Sequence, residues 1–285
     1  MSDQLLGALG ELVSDPLAVT MISLDRVREY LRLARLRRRM FSTPPRTSGT
    51  EQWSGHRIRI NDGPNFYMLC KDVFVNRIYH FTARRQDPLI IDCGSNIGVP
   101  ILYFKGAYPN ARIIAFEPDP TIVPYLRENI AGNRLQGVEV VHAAVAGREG
   151  TLTFWSDGIC GSYLADERPA HVSPGWKRFE VQCVRLRDYL TAPVDFLKMN
   201  IEGAEWEVLA DSEDRLREID QIIIEYHHLP GLPRTLHRIL DLLDRQGFEF
   251  MINDFDGETN PDVRPPFTLT PESRYFLLIY ARRRP

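Results

Sequence analysis

The segment Asp92-Cys93-Gly94-Ser95-Asn96-Ile97-Gly98 follows directly on the apolar run Leu89-Ile90-Ile91 and leads into a helical pattern. In a parallel α/β sheet, a glycine turn between strand and helix is where ligands bind, because the carboxyl end of the strand and the helix N-terminus open onto the same crevice. Gly94 predicts a tight turn with backbone close to a ligand, and Gly98 predicts close packing of helix on strand. Glu117 stands 19 residues after Gly98, at the end of the next apolar strand. An acid in that place accepts hydrogen bonds from both hydroxyls of a ribose. Dinucleotide sites use G-x-G-x-x-G, in which the second glycine clears room for a pyrophosphate. Here Ser95-Asn96 occupies the middle and the pattern is G-x-x-x-G. The turn therefore favours a phosphate-free adenosyl ligand, S-adenosyl-L-methionine, over NAD.

A second cluster of reactive side chains lies further along. Ile222-Ile223-Ile224-Glu225-Tyr226-His227-His228 reads as a buried strand running into polar residues at its carboxyl end, and Glu202 and Glu205 follow the strand before it. Methyl transfer from a sulfonium is an in-line displacement, so the protein mainly positions the nucleophile. A hydroxyl acceptor also needs a base to take its proton. Glu202, Glu225 and His227 are the candidates for that role, with Glu205 and His228 as substrate contacts. Glu202 has a structural alternative, accepting backbone N–H groups in the turn at Gly203. Lys198, inside a strand, is expected to pair with an acid. Glu202, Glu225, His227 and His228 also have residue types that suit a divalent metal, although the expectation is that no metal is bound.

Elements must place these groups. From residue 88 short apolar strands alternate with amphipathic helices, which predicts a mostly parallel sheet covered on both faces. Strands are predicted at 89–92, 112–116, 138–142, 194–199, 221–225 and 248–252, with a final strand at 274–281. Upstream, 56–60, 66–70 and 73–78 read as short strands around the turn Asn61-Asp62-Gly63-Pro64, forming a hairpin layer over 56–87. A loop at 157–177 is long enough to be a lid. Residues 1–55 read as a helical appendage and linker, and 56–285 as the main domain. A helix over 24–40 carries the apolar stripe Val27, Tyr30, Leu31 and Ala34, a hint of a homodimer, and its other faces are rich in arginine.

The chain has 285 residues and a formal net charge of −3, with 44% apolar and 26% charged residues. That balance excludes a disordered or collagen-like chain and argues against wholesale wrapping of nucleic acid. Cys70, Cys93, Cys160 and Cys183 form no CxxC pair and read as reduced thiols. No apolar run approaches a membrane span and no leader pattern is seen, so the expected location is cytoplasmic.

Ile91 to Gly98, Ala115-Phe116-Glu117-Pro118-Asp119-Pro120 and Leu197 to Glu205 resemble, in that order, the FkbM family of S-adenosylmethionine-dependent methyltransferases. The likeness covers about residues 58–281. It implies a Rossmann-like α/β fold with a mostly parallel seven-stranded sheet and an antiparallel last strand, conversion of S-adenosyl-L-methionine to S-adenosyl-L-homocysteine, and a small-molecule acceptor. Position by position it implies that Gly94, Asn96 and Gly98, with Asp92 and Ser95 in the same loop, hold the amino-acid end of the cofactor. Glu117 would take the ribose, Pro118 and Ala143 the adenine side, and Asn200 the methyl-bearing end; Ser162 matches a serine-containing stretch of the family and would contact the substrate. The family usually has K-x-D-x-E-G, and Asn200 replaces its Asp, so either the base lies elsewhere or the acceptor needs none. O-methylation of a natural-product hydroxyl is the leading expectation. N-methylation of an amine, amino acid or guanidine is the alternative, and a cofactor-binding or RNA-associated protein using the Arg-rich helix is the alternative from another class.

Overall fold

The computed structural model describes residues 24–165, 175–254 and 273–284. Helix α1 (Leu24–Ser42) leads into a hairpin of β1 (Gly49–Trp53) and β2 (His56–Ile60), then helix α2 (Gly63–Cys70). The alternating section follows as β3 (Leu89–Cys93), α3 (Val99–Ala107), β4 (Arg112–Phe116), α4 (Val123–Gly132) and β5 (Val138–Val141). Four strands come next: β6 (Ala144–Ala146), β7 (Gly150–Ser156), β8 (Ser162–Leu164) and β9 (Lys177–Arg185). The chain then returns through β10 (Val194–Met199), α5 (Glu205–Asp211), β11 (Ile219–His228), α6 (Leu236–Arg245), β12 (Phe248–Asp254) and β13 (Tyr275–Arg283).

Seven strands form one sheet in the order β12-β13-β11-β10-β3-β4-β5, with β13 antiparallel to both neighbours and the remaining pairs parallel. This is the Rossmann-like sheet with an antiparallel last strand. The strand order reverses between β3 and β10, so the connections that leave their carboxyl ends run in opposite directions and leave a crevice above the paired strands. Side chains alternate between two cores as the pleat requires. Ile90, Phe196 and Ile223 face one core, while Ile91, Leu197 and Ile224 face the other. The strands β6 to β9 form a separate four-stranded sheet in the order β6-β9-β7-β8, which carries the chain over the crevice.

Two expectations change. Residues 66–70 are helix, and 71–75 a wide turn closed by Asn76 N–H donating to the Lys71 carbonyl at 2.8 Å, where strands were predicted. Asp62-Gly63-Pro64 is a helix start and not a hairpin turn: the Asp62 carboxylate accepts the Asn65 N–H at 2.7 Å, and Pro64 sits in the first turn, where its missing N–H costs nothing. In α1 the buried residues are Leu33, Leu36 and Met40, while Val27, Tyr30 and Leu31 are exposed. The docking face is set by α2: a Cβ at Gly63 would stand 3.0 Å from the Met40 carbonyl oxygen, so the two backbones touch along the Met40 side. The β1–β2 hairpin spans residue 55, where the sequence divides appendage from domain.

Candidate functional site

The crevice opens into a cleft over the Gly94 turn. Gly94 has φ +84°, and a Cβ there would lie 1.9 Å from the Asn200 carbonyl oxygen, so only glycine lets the ends of β3 and β10 close together. Gly98, with φ +88°, would press a Cβ to 2.8 Å from Leu126 on α4. Gly94 and Ser95 N–H both donate to the Phe116 carbonyl, at 3.0 and 2.9 Å. Ser95 turns its hydroxyl inward to the Asp92 carbonyl at 3.1 Å and is buried away from the cleft. Glu117 projects from the end of β4 and accepts the N–H groups of Asn96 at 2.8 Å and Asp119 at 2.9 Å. Burial pushes its carboxyl up to about 7, against the pull of those two N–H groups. Pro118, Ile122, Ala143, Ala144 and Val145 continue the wall as an apolar slot.

A charged layer supports the turn from below. Lys198 and Asp92 are register partners on β10 and β3, and their charges meet at 3.0 Å in full burial. The same ammonium donates to the Gly94 carbonyl at 2.5 Å and stands 5.4 Å from the centre of the Tyr79 ring. Lys198 thus pairs with an acid, as its place in the strand implies. Next to it, Glu225 accepts from the Tyr79 hydroxyl and from Asn200 Nδ2, the latter at 2.8 Å. Burial raises the Glu225 carboxyl, with Lys198 pulling the other way. Asp92 and Glu225 lie beneath the cleft, whereas Lys198, Asn200 and Tyr79 reach it.

At the far end, Glu202 lines the cleft on a left-handed backbone, φ +53°, followed by Gly203 at φ +99°. The acid that accepts the Gly203 N–H is Glu205, at 3.1 Å, so Glu202 keeps its oxygens for the cleft. Behind it, His227 Nδ1 lies 3.1 Å from Glu205 and Nε2 lies 3.6 Å from Glu202. Burial pushes the Glu202 carboxyl up to about 7; the His227 cation opposes this, and Glu205, Glu225 and Asp157 add to it. Burial alone would lower the His227 imidazole, but Glu202 and Glu205 overcome it and hold the group up at about 10. His228 is one residue on, so the pleat turns it to the opposite face. There it stacks on Tyr275 at 4.8 Å between centroids, and burial lowers its imidazole. His228 therefore does not join Glu202, Glu225 and His227. Among the described residues no group of three His, Cys, Asp or Glu side chains is arranged to hold a metal ion.

The roof is the turn from Asp157 to Gly161. The Asp157 carboxylate accepts the N–H groups of Ile159, Cys160 and Gly161 at 2.8, 3.1 and 3.1 Å. Asn96 Nδ2 ties the Ile159 carbonyl to the cofactor-type turn at 2.7 Å. Asn61 Nδ2 donates to the Gly158 carbonyl at 2.9 Å, and the Arg46 guanidinium donates to the Asp157 carbonyl. Ser162 and Tyr163 line the cleft beyond this turn. Residues 166–174 of the predicted lid lie outside the described residues.

The structure thus brings Gly94, Asn96, Glu117, Pro118, Ala143, Asn200, Glu202 and Ser162 together on one cleft. Gly98 shapes its turn, while Asp92, Ser95, Glu205, Glu225 and His227 stand behind it and His228 faces away. Sequence reasoning missed Leu69, Tyr79 and the pair Arg46 and Asn61. The usable signal was Asp62-Gly63-Pro64: read as a helix start, it would have set α2, and with it Leu69, against the sheet.

Comparison with known proteins matches the Methyltransferase FkbM domain over residues 92–250. Methyltransferase sdnD of Sordaria araneosa is 28% identical over 217 residues, covering 64% of this chain and 81% of its own. The 31-O-demethyl-FK506 methyltransferase FkbM of Streptomyces tacrolimicus is 28% identical over 213 residues, covering 63% and 80%. The 2-O-methyltransferase NoeI of Sinorhizobium fredii is 30% identical over 179 residues, covering 56% and 72%.

Proposed function

The chain belongs to the FkbM family of methyltransferases, and on that premise we propose that it moves the methyl group of S-adenosyl-L-methionine to a hydroxyl of a small molecule, with Glu202 as the base. The cleft suits the cofactor. The apolar slot beside Pro118 and Ala143 takes adenine, Glu117 takes the ribose diol, and the Gly94–Gly98 turn takes the amino-acid end. It suits a dinucleotide poorly, for two reasons. Asn96 stands where the pyrophosphate-clearing glycine would be and spends its amide on the roof. Among the described residues the one basic side chain on the lining, Lys198, is already paired with Asp92. When bound, the sulfonium supplies an activated methyl group in need of no further activation. The protein's work is then to align the acceptor oxygen and take its proton.

Glu202 carries the reading. It is the carboxylate that lines the acceptor end of the cleft without being spent on a backbone N–H or a side-chain hydroxyl, and its proton affinity near neutrality suits a general base. The Asn that replaces the family's Asp is committed to Glu225, so the base role passes to its neighbour. The relatives named as a 31-O-demethyl-FK506 methyltransferase and a 2-O-methyltransferase support oxygen as the acceptor atom and specialised metabolism as the setting. The test supplies 13C-methyl-labelled S-adenosyl-L-methionine with pooled hydroxylated acceptors (methyl glycosides, macrolactones) and pooled amines. O–CH3 product is expected, and Glu202→Gln should lower kcat by about 10²–10⁴-fold while S-adenosyl-L-homocysteine still binds. N–CH3 product alone overturns the acceptor assignment, and full activity in Glu202→Gln overturns the base.

A further inference from the structure

Glu202 sits in front of a buried imidazole whose second nitrogen faces another carboxylate. The order Glu202, His227, Glu205 joins three elements: the turn after β10, the carboxyl end of β11 and the first turn of α5. His227 is 8% exposed and Glu205 1% exposed, while Glu202 keeps about a fifth of its side chain open. Phe276 of β13 closes the other side of the imidazole, with ring centroids 5.0 Å apart. Glu202 lines the cleft while His227 and Glu205 stand behind it, so an acceptor in the cleft meets the carboxylate before the imidazole.

We propose that His227 is a positioning residue and not the base: anchored by Glu205, it stands as a fixed imidazolium behind Glu202 and holds that carboxylate ionised and facing the acceptor. This rests on Glu202 being the base. The geometry decides between the two histidine roles. His227 Nδ1 hydrogen-bonds Glu205 at 3.1 Å and Nε2 faces Glu202 at the ion-pair distance of 3.6 Å, and only the cation offers an N–H toward each carboxylate. A neutral imidazole would leave one nitrogen lone pair facing a carboxylate. A cation carries a proton on both ring nitrogens and has no lone pair for a substrate proton. Glu225 of β11 also faces the imidazole and favours its cation, whereas toward Glu202 the acids Glu205, Glu225 and Asp157 of the roof act the other way, and the imidazolium is what opposes them. Glu205 also accepts the Gly203 N–H, so one carboxylate fixes both the imidazolium and the turn that presents Glu202.

The experiment needs no acceptor to begin. In wild-type protein loaded with S-adenosyl-L-homocysteine, 15N NMR of His227 should show both ring nitrogens protonated from pH 6 to pH 8, a range of about one unit either side of neutrality; a neutral imidazole there overturns the proposal. In His227→Gln, which keeps a donor but no charge, the Glu202 carboxyl followed by 13C NMR should titrate about 1–3 units higher than in wild type. The acidic limb of turnover on the hydroxylated acceptor should move with it. A Glu202 titration unmoved in His227→Gln overturns the positioning role and leaves Glu202 as base. Full activity in Glu202→Gln overturns the base itself.

Discussion

The two walls of the cleft are made differently. The lower wall, from Gly94 to Gly98 with Glu117, is built from backbone at the ends of adjacent strands, and its tolerances are steric: a single methyl group at Gly94 would enter the Asn200 carbonyl. The roof, from Asp157 to Gly161, is held by the Asn96 and Asn61 amides and the Arg46 guanidinium, which arrive from 63, 97 and 111 residues away. Arg46 is 60% exposed, so solvent competes for its bonds. In the proposed function the lower wall is the part that selects the cofactor. The roof sets how the cofactor and acceptor are enclosed, and its hydrogen bonds are individually modest.

The sharpest way to break this contrast is Gly94→Ala. The positive φ and the 1.9 Å clash force β3 and β10 apart, and calorimetry should detect no S-adenosyl-L-homocysteine binding. Retained affinity would mean that the turn is softer than its packing indicates. Glu117→Ala comes next. Loss of a charged partner to two ribose hydroxyls should weaken that affinity by about 10- to 100-fold, and a wild-type value would remove Glu117 from the ribose. The smallest effect belongs to the roof. Arg46→Met with Asn61→Leu should raise the KM for S-adenosyl-L-methionine by about three- to tenfold, with kcat changed less. If the pair costs as much as Glu117→Ala, the two walls are equally rigid and the contrast fails.

The lower wall was legible in the sequence and the roof was not, for a physical reason. Close backbone approach excludes side chains, so it writes itself into a short string such as Gly94-Ser95-Asn96-Ile97-Gly98. A hydrogen bond from Asn61 to the Gly158 carbonyl imposes no local pattern on either partner. Asp62-Gly63-Pro64 shows an intermediate case: its residues suit a turn and a helix start equally, and packing against α1 selects the helix.

The sequence by itself determined the alternating strands and helices, the glycine turn, the acid at the next strand end and the family. Each rests on periodicity or backbone sterics within a few residues. Only the tertiary structure decided which of two adjacent histidines stands behind Glu202, and that Glu205 rather than Glu202 binds the Gly203 N–H. It also decided that Leu33, Leu36 and Met40, not Val27, Tyr30 and Leu31, are the buried face of α1. Those choices depend on which face of a strand or helix meets a neighbour, and the neighbour lies elsewhere in the chain.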